Sequence, residues 1–190
     1  MRKINKQLSI QLTNSNHQKV FRKQLIFGGS LLNNSHAKTK RPISHKHAIH
    51  VVIRSTLAKG KRSFLYKNNR KIINDIVGRN AKRLSITILD MANVGNHIHL
   101  MIKIKAGNVT QAKLCFNKFI RGITGLIARV ALKVERGKAL GIKFWDQRPF
   151  TRIVESWAGL KILKNYIYKN KIEVWGLMPF EVTSEGYLSG

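Results

Sequence analysis

The chain has 190 residues, which is the length of one domain or of one domain with an additional arm. Its hydrophobic fraction of 43% excludes a wholly disordered chain, and no uncharged apolar run approaches the ~18 residues of a membrane span. Residues 1–10 lack the apolar stretch of a secretory signal, and the single cysteine, Cys115, excludes an intrachain disulfide. We therefore expect a soluble protein in a reducing cytoplasm.

Charge is the strongest compositional signal. Lysine and arginine number 36 against 8 aspartate and glutamate residues, so the formal net charge is +28, and no acidic residue precedes Asp75. Such a surplus favours a polyanionic partner, because binding releases the partner's counterions. Nucleic acid is the first candidate. An anionic membrane would require a basic amphipathic helix with an exposed apolar face, and none stands out.

Residues 1–44 are predicted to form a basic N-terminal arm that stays mobile until it meets phosphate. Within the arm, Lys38, Lys40 and Arg41 could follow a nucleic-acid backbone, although a solvated tail explains the same residues nearly as well. The folded domain is predicted over residues 45–175. A C-terminal tail without a clear pattern is predicted over 176–190.

Short β-branched segments and longer amphipathic segments alternate after the arm. Residues 47–54 are predicted as a partly buried strand, and residues 67–82 as a helix with isoleucines on one side. Residues 84–89 alternate with period two, which predicts a second strand. Residues 97–104 are predicted as its hairpin partner, across a turn at 93–96.

The next predicted helix has a single apolar stripe and begins near Asn108. The stripe consists of Ala112, Phe116, Phe119, Ile123, Leu126 and Val130. A Gly- and Lys-rich loop over 135–143 follows, then a strand over 150–154 and a final helix over about 156–172. This order predicts an α+β fold, with a ferredoxin-like antiparallel sheet and helices packed on one face.

Two histidines two residues apart lie on a predicted strand. Side chains at this spacing point to the same face, so His97 and His99 would project together while Ile98 is buried behind them. Neutral imidazole is a common ligand of divalent metals. The alternative is that both rings simply line a polar face, since this short pattern alone has low specificity.

The final helix supplies a third candidate ligand. Tyr166 and Asn170 are four residues apart and therefore neighbours on one helical face, whereas Tyr168 points away from Tyr166. The amide oxygen of Asn170 could complete a metal site, with the Tyr166 phenol beside it. The alternative is that Tyr166 packs its ring under the sheet and leaves its hydroxyl in water. Tyr168 is the alternative candidate for a tyrosine that reacts as a nucleophile.

These two motifs together resemble a known group of proteins. The His-Ile-His sequence at 97–99 resembles the motif of HUH endonucleases. The helix segment from Tyr166 to Asn170 resembles the single-tyrosine helix of the IS200-like transposases in that group, especially the REP-associated tyrosine transposases. The resemblance covers about residues 43–172. Many relatives have Met-Pro-Asn before the His pair and Pro after the helix Asn, where this chain has Val-Gly-Asn and Lys171.

The resemblance implies a ferredoxin-like core with one Mg²⁺ or Mn²⁺ ion held by His97, His99 and Asn170. It implies a DNA nicking and rejoining enzyme, an HUH single-tyrosine transposase, in which Tyr166 cleaves single-stranded DNA next to a hairpin through a 5′-phosphotyrosine bond. The implied partners are single-stranded and hairpin DNA and, if the chain pairs, a second copy in a homodimer. No membrane is implied, and the implied location is the nucleoid of a bacterial cytoplasm.

Ionising a free tyrosine at pH 7 costs roughly 4 kcal/mol, because its pKa is ~10. Since the site is strongly basic, we expect its cations to lower the pKa of Tyr166 and so reduce this cost.

Several other side chains could assist this chemistry. Arg54, Arg148 and Arg152 are candidate phosphate-binding residues. Trp145 could stack on an unpaired DNA base, although such an aromatic side chain is at least as often part of the core. His50 lies on the first predicted strand and could face the His pair, but a hydrogen-bonded structural histidine is the favoured interpretation.

Two other classes of protein fit parts of the sequence. The first is a non-catalytic nucleic-acid-binding protein, with DNA or RNA as its partner, that keeps the fold without turnover. The second is an RNA-binding ferredoxin-like module, for which the charge is equally good support but the His pair and the Tyr-Asn helix would be coincidental.

Overall fold

The alternating segments form an antiparallel sheet and three α-helices in a computed structural model, which describes residues 25–29 and 40–176. The strands are β1 (Ile26–Phe27), β2 (Ala48–Arg54), β3 (Ile86–Asn93), β4 (His97–Ile104) and β5 (Phe150–Val154). The helices are α1 (Lys67–Arg83), α2 (Val109–Leu132) and α3 (Trp157–Val174), and a 3₁₀ turn covers Gly60–Arg62. The strand order is β1-β5-β2-β4-β3, and every neighbouring pair is antiparallel. The predicted α+β class is confirmed.

One face of the sheet carries the main hydrophobic core. Alternate residues of a strand point to opposite faces, so Ile49, Val51 and Ile53 of β2 share one side, and all three are buried. They pack with Leu100 and Ile102 of β4 in a cluster that also contains the apolar sides of α1 and α2. These two helices therefore cover the same face of the sheet.

The apolar stripe of α2 differs from the predicted one in its second half. Leu126 is 43% exposed, whereas Ile127 and Ala131 are buried. A helix crosses a twisted sheet at an angle, so the line of contact moves around the helix along its length. Neither α2 nor any other helix of the described ranges is long and apolar enough to cross a membrane.

Helix α3 packs on the opposite face of the sheet. Its Leu163 and Ile167 form a second apolar cluster with Ala48, Ala92 and Met101. The prediction that helices pack on one face therefore holds for α1 and α2 but not for α3. An amphipathic pattern shows that one side of a helix is buried, but it does not show which face of a sheet receives that side.

Strand β3 is longer than the predicted segment 84–89 and contains an irregularity. The register with β4 shifts between Ile88 and Asp90, which marks a β-bulge. The Asp90 carboxylate forms an ion pair with Lys171 of α3. This pair ties helix α3 to the edge strand of the sheet.

Part of the predicted arm belongs to the folded domain. Strand β1 pairs with β5, Ile43 is buried, and Arg41 donates a hydrogen bond to the carbonyl oxygen of Pro149. After β1, Gly28 has a φ of +83°, and a Cβ there would lie 2.1 Å from the same carbonyl oxygen, so a side chain would not fit. Lys38, most of the arm, and all but the first residue of the predicted tail lie outside the described residues.

Candidate active site

Three histidines lie together on the sheet face that α3 covers. His97 and His99 alternate with Ile98, which is completely buried on the other side, as the spacing predicts. In the antiparallel pairing of β2 with β4, Arg54 lies opposite His97, so His50 of β2 shares this face. We call His50, His97 and His99 the histidine cluster.

The ring nitrogens of this cluster are partly paired. His50 Nε2 and His99 Nδ1 are 3.1 Å apart, and His97 Nδ1 is 2.6 Å from Oδ1 of Asn96. A carboxamide oxygen only accepts hydrogen bonds, so His97 Nδ1 carries a proton and His97 Nε2 keeps a lone pair. His99 Nε2 is buried and has no hydrogen-bond partner among the described residues. The sequence interpretation missed Asn96, because an asparagine in a turn gives no signal of this role.

All three histidines are neutral at pH 7. Burial, helped by the positive charge of Arg152, lowers the pKa of His50 to about 4. Burial and then Arg54 lower the pKa of His97 to about 4. Burial and then the two neighbouring histidines lower the pKa of His99 well below its usual value. The rings therefore offer lone pairs rather than positive charge.

Asn170 contributes an amide from α3. Its side chain is only 8% exposed, and its Nδ2 donates to the backbone carbonyl oxygen of Tyr166 at 2.7 Å. With Nδ2 turned to the helix backbone, the group that Asn170 can offer to a cation is Oδ1.

The donor atoms of His97, His99 and Asn170 are of the types that bind divalent ions. The rings of His97 and His99 have centroids 4.8 Å apart, and the unpartnered buried Nε2 of His99 is the kind of atom that a cation would satisfy. Among the described residues no group of three or more His, Cys, Asp or Glu side chains is arranged to hold a metal. A metal held by the His pair would need a third ligand of another type, and the Asn170 amide oxygen is a candidate.

Tyr166 lies against the histidine cluster. Its ring centroid is 5.3 Å from that of His99 and 6.3 Å from that of His50, edge to face in both cases. Its phenol is half-buried, whereas Tyr168 is 59% exposed. Of the two tyrosines, Tyr166 is the one that the fold brings to the His pair.

The pKa of Tyr166 is raised, contrary to the expectation that a basic site lowers it. Burial is the main cause, Glu173 adds to the rise, and a hydrogen bond from the Asn170 side chain opposes it. No lysine or arginine is among these influences. Among the described residues, the large net positive charge therefore does not lower the pKa of this phenol.

Two arginines flank the histidine cluster on the same face. Arg54 lies opposite His97, and its Nε is 3.7 Å from Oδ2 of Asp146. Arg152 lies opposite His50 on β5 and is half-buried. Both arginines therefore lie beside the histidine cluster on the α3 face of the sheet.

The other predicted basic residues are farther from the cluster. Arg41 donates to the carbonyl oxygen of Pro149 at 2.8 Å and stacks over the ring of Phe27, so its guanidinium points into the fold. Burial and then Arg148 lower the pKa of Arg41 to about 10. Lys40 and Arg148 are exposed. The expected role of Arg41 in following a nucleic-acid backbone is therefore not supported by its position.

Trp145 belongs to the core rather than to an open surface. Its indole Nε1 donates to the carbonyl oxygen of Thr124 at 3.1 Å, and its ring packs against Phe64 and Phe144. The structure thus corresponds to the core alternative for Trp145, and a stacking role would require the ring to leave this position.

This chain is similar to one protein family and to several solved structures. The model of the IS200-like transposase family matches residues 43–170. One similar solved structure is a REP-associated tyrosine transposase bound to a REP hairpin, with 12% identity, a TM-score of 0.50, and coverage of 72% of this chain and 73% of that chain. Another is a protein of Deinococcus radiodurans R1 assigned provisionally as a transposase, with 14% identity, a TM-score of 0.41, and coverage of 70% and 98%.

At these identities the likeness to solved structures shows the fold alone. A comparison with curated proteins finds no significant match. The family match, however, spans more than half of the chain and includes the His pair, the tyrosine and the helix asparagine. The protein therefore belongs to the IS200-like transposase family, whose activity is DNA transposition.

Proposed function

We propose that the protein is a metal-dependent single-stranded DNA endonuclease and strand transferase that cleaves next to DNA hairpins through a 5′-phosphotyrosine intermediate on Tyr166. The observation that carries the proposal is the contact of Tyr166 with His99, at 5.3 Å between ring centroids. The buried Nε2 of the same histidine has no hydrogen-bond partner in the described ranges. A nucleophile and candidate metal ligands thus meet on one face of the sheet.

DNA is the partner that the charge and the fold support. A net charge of +28 favours a polyanion, and the REP-associated tyrosine transposase of similar fold is bound to a hairpin. Arg54 and Arg152 flank the histidine cluster, where they would hold phosphates on either side of the scissile bond. We place this activity in a bacterial cytoplasm, on nucleoid DNA.

The reaction forms one bond and breaks another at the same phosphorus. Tyr166 Oη attacks the phosphorus, the P–O3′ bond breaks, and the 3′ oxygen leaves and takes up a proton as a free hydroxyl. The DNA 5′ phosphate stays linked to the protein. Attack by a 3′ hydroxyl on this phosphotyrosine reverses the bond changes, which rejoins the strand or transfers it.

The phenol must lose its proton for this attack. Its ionisation at pH 7 costs more than the roughly 4 kcal/mol of a free tyrosine, because burial raises the pKa of Tyr166. His97, His99 and Asn170 would hold the divalent ion, which would polarise the phosphate and offset negative charge in the transition state. A cation held beside the phenol would lower the cost of ionising it, because an opposite charge favours the ionised form.

Tyr166 lies against His99 of its own chain. This arrangement supports an active site that is completed within one chain. A homodimer would then bring together two such sites rather than build each site from two chains.

The test is incubation with a single-stranded hairpin oligonucleotide and Mn²⁺, followed by denaturing electrophoresis. We expect a covalent protein–DNA adduct in the wild type and in Tyr168→Phe, and none in Tyr166→Phe. An adduct that survives in Tyr166→Phe and disappears in Tyr168→Phe would assign the nucleophile to Tyr168.

A non-catalytic nucleic-acid-binding protein is the second candidate. The raised pKa of Tyr166 is the observation on its side, because burial makes the phenol harder to ionise than a free tyrosine. Tight binding of the hairpin that weakens with salt, with no adduct at any metal concentration, would support this candidate.

A further inference from the structure

His50 is a buried histidine outside the His-Ile-His motif. It is 8% exposed, and its Nε2 is 3.1 Å from Nδ1 of His99. The two ring planes are within 15° of each other and the centroids are 5.4 Å apart, which is the edge-to-edge arrangement of an in-plane hydrogen bond. Edge contacts with Phe150 at 5.9 Å and Tyr166 at 6.3 Å between centroids restrict the rotation of the His50 ring.

The hydrogen bond between the two rings can run in either direction. A neutral imidazole has one N–H donor and one lone pair. If His99 Nδ1 donates to His50 Nε2, then His99 Nε2 keeps its lone pair. If His50 Nε2 donates to His99 Nδ1, then His99 Nε2 carries a hydrogen and cannot bind a metal.

We propose that His50 is a positioning residue, which accepts the Nδ1 hydrogen of His99 and thereby keeps the Nε2 lone pair of His99 directed into the site. The inference rests on the proposed function, because it assigns that lone pair to the metal. A histidine that binds a metal generally donates its other ring N–H to a neighbouring acceptor. His50 is the acceptor that the fold provides for His99.

His97 shows the same arrangement with a different acceptor. Its Nδ1 is 2.6 Å from Oδ1 of Asn96, which can only accept, so its Nε2 holds the lone pair. With His50 as an acceptor, both motif histidines present Nε2 to the site. The two acceptors come from different parts of the chain, the hairpin turn for His97 and strand β2 for His99.

The first test is the ring tautomer in metal-free protein, read by long-range ¹H–¹⁵N correlation NMR with ¹⁵N-labelled histidine. We expect the His99 hydrogen on Nδ1 in the wild type. In His50→Gln the side-chain oxygen can still accept, so the tautomer is retained. In His50→Phe no acceptor remains, and His99 becomes a mixture of tautomers.

The second test is Mn²⁺ affinity by calorimetry. His50→Phe should bind Mn²⁺ about 10–100-fold more weakly than the wild type, as is typical when the partner of a ligating histidine is lost. His50→Gln should stay close to the wild type. His47→Phe removes a histidine outside the histidine cluster and should change neither measurement.

A His99 hydrogen on Nε2 in the wild type would overturn the inference. So would a His50→Phe variant with an unchanged tautomer and unchanged Mn²⁺ affinity. If the wild type binds no Mn²⁺, the proposed function fails, and the wild-type tautomer still decides whether His50 positions His99. That wild-type measurement also stands if His50→Phe does not fold.

Discussion

The two faces of the sheet are built from the same strands but differ in almost every property. The face toward α1 and α2 is apolar and fully packed, with Ile49, Ile98 and Leu100 at 0% exposure. The other face carries the histidine cluster and only a small apolar contact with α3. Alternation along β2 and β4 thus separates a face that stabilises the fold from a face that can do chemistry.

Buried polar atoms of the described ranges that lack a hydrogen-bond partner are found mainly on the α3 face of the sheet. Among the described residues three buried side-chain nitrogens have no hydrogen-bond partner, and two of them, Arg54 Nε and His99 Nε2, lie on the α3 face. Arg54 Nε has the Asp146 carboxylate 3.7 Å away, so His99 Nε2 is the better mark of a place where a ligand could supply a missing contact.

The largest expected effect comes from substituting one residue on each face of strand β4 and comparing the two variants. Leu100→Ala should lower the free energy of unfolding by about 2–5 kcal/mol, because it opens a cavity in a packed core. Denaturant unfolding measures this change. His97→Ala should instead abolish the DNA adduct and leave most of the hairpin affinity, since phosphate contacts dominate it. If Leu100→Ala unfolds no more readily than His97→Ala, the division between the faces is wrong.

An intermediate effect is expected from pH on the metal-free protein. The pKa of His50 is about 4 in the folded state against an ordinary value of 6.5, so the unfolded state binds the proton more tightly. Its contribution to stability is therefore complete above pH 6.5 and is lost as the pH falls through about 4, at a cost of about 3 kcal/mol. Denaturant unfolding between pH 7 and pH 4 measures the loss. His50→Gln should make the profile shallower and leave the slope that His97 and His99 contribute, and an equally steep profile in that variant would exclude His50 as a source.

The smallest effect on stability is expected at the contact that ties α3 to the sheet. Lys171→Met removes the ion pair with Asp90, which is partly exposed and should contribute less than about 1 kcal/mol. Because Asn170 is the adjacent residue, we expect adduct formation to slow more than this loss of stability implies. The measurement is the rate of adduct formation beside a thermal melt.

The matched control is the charge exchange Asp90→Lys with Lys171→Asp, which should restore part of the rate. A Lys171→Met variant with the wild-type rate would show that this ion pair does not position helix α3.

Regular local patterns were predictable from the sequence. Strands β4 and β5 occupy the predicted residues 97–104 and 150–154, because alternation and flanking turns define short strands well. The shared face of His97 and His99 follows from the same alternation. The pairing of Tyr166 with Asn170 on one side of α3 follows from helical spacing.

Contacts between distant segments were not predictable. The hydrogen bond between His50 and His99 depends on how β2 and β4 align, and no local pattern specifies the register of strands so far apart in the chain. The inward orientation of Arg41 depends on Pro149 for the same reason. The pKa of Tyr166 is raised because the phenol is half-buried, and the net charge of a chain carries no information about burial.

The central claim is that Tyr166 becomes covalently linked to DNA at the site of the His pair. The most direct measurement is mass spectrometry of the protease-digested adduct formed with a hairpin oligonucleotide and Mn²⁺. The account predicts a nucleotide 5′ phosphate on the peptide that contains Tyr166, attached to that residue, and none when His97 and His99 are both alanine. Attachment at Tyr168, or the same adduct without the two histidines, would contradict it.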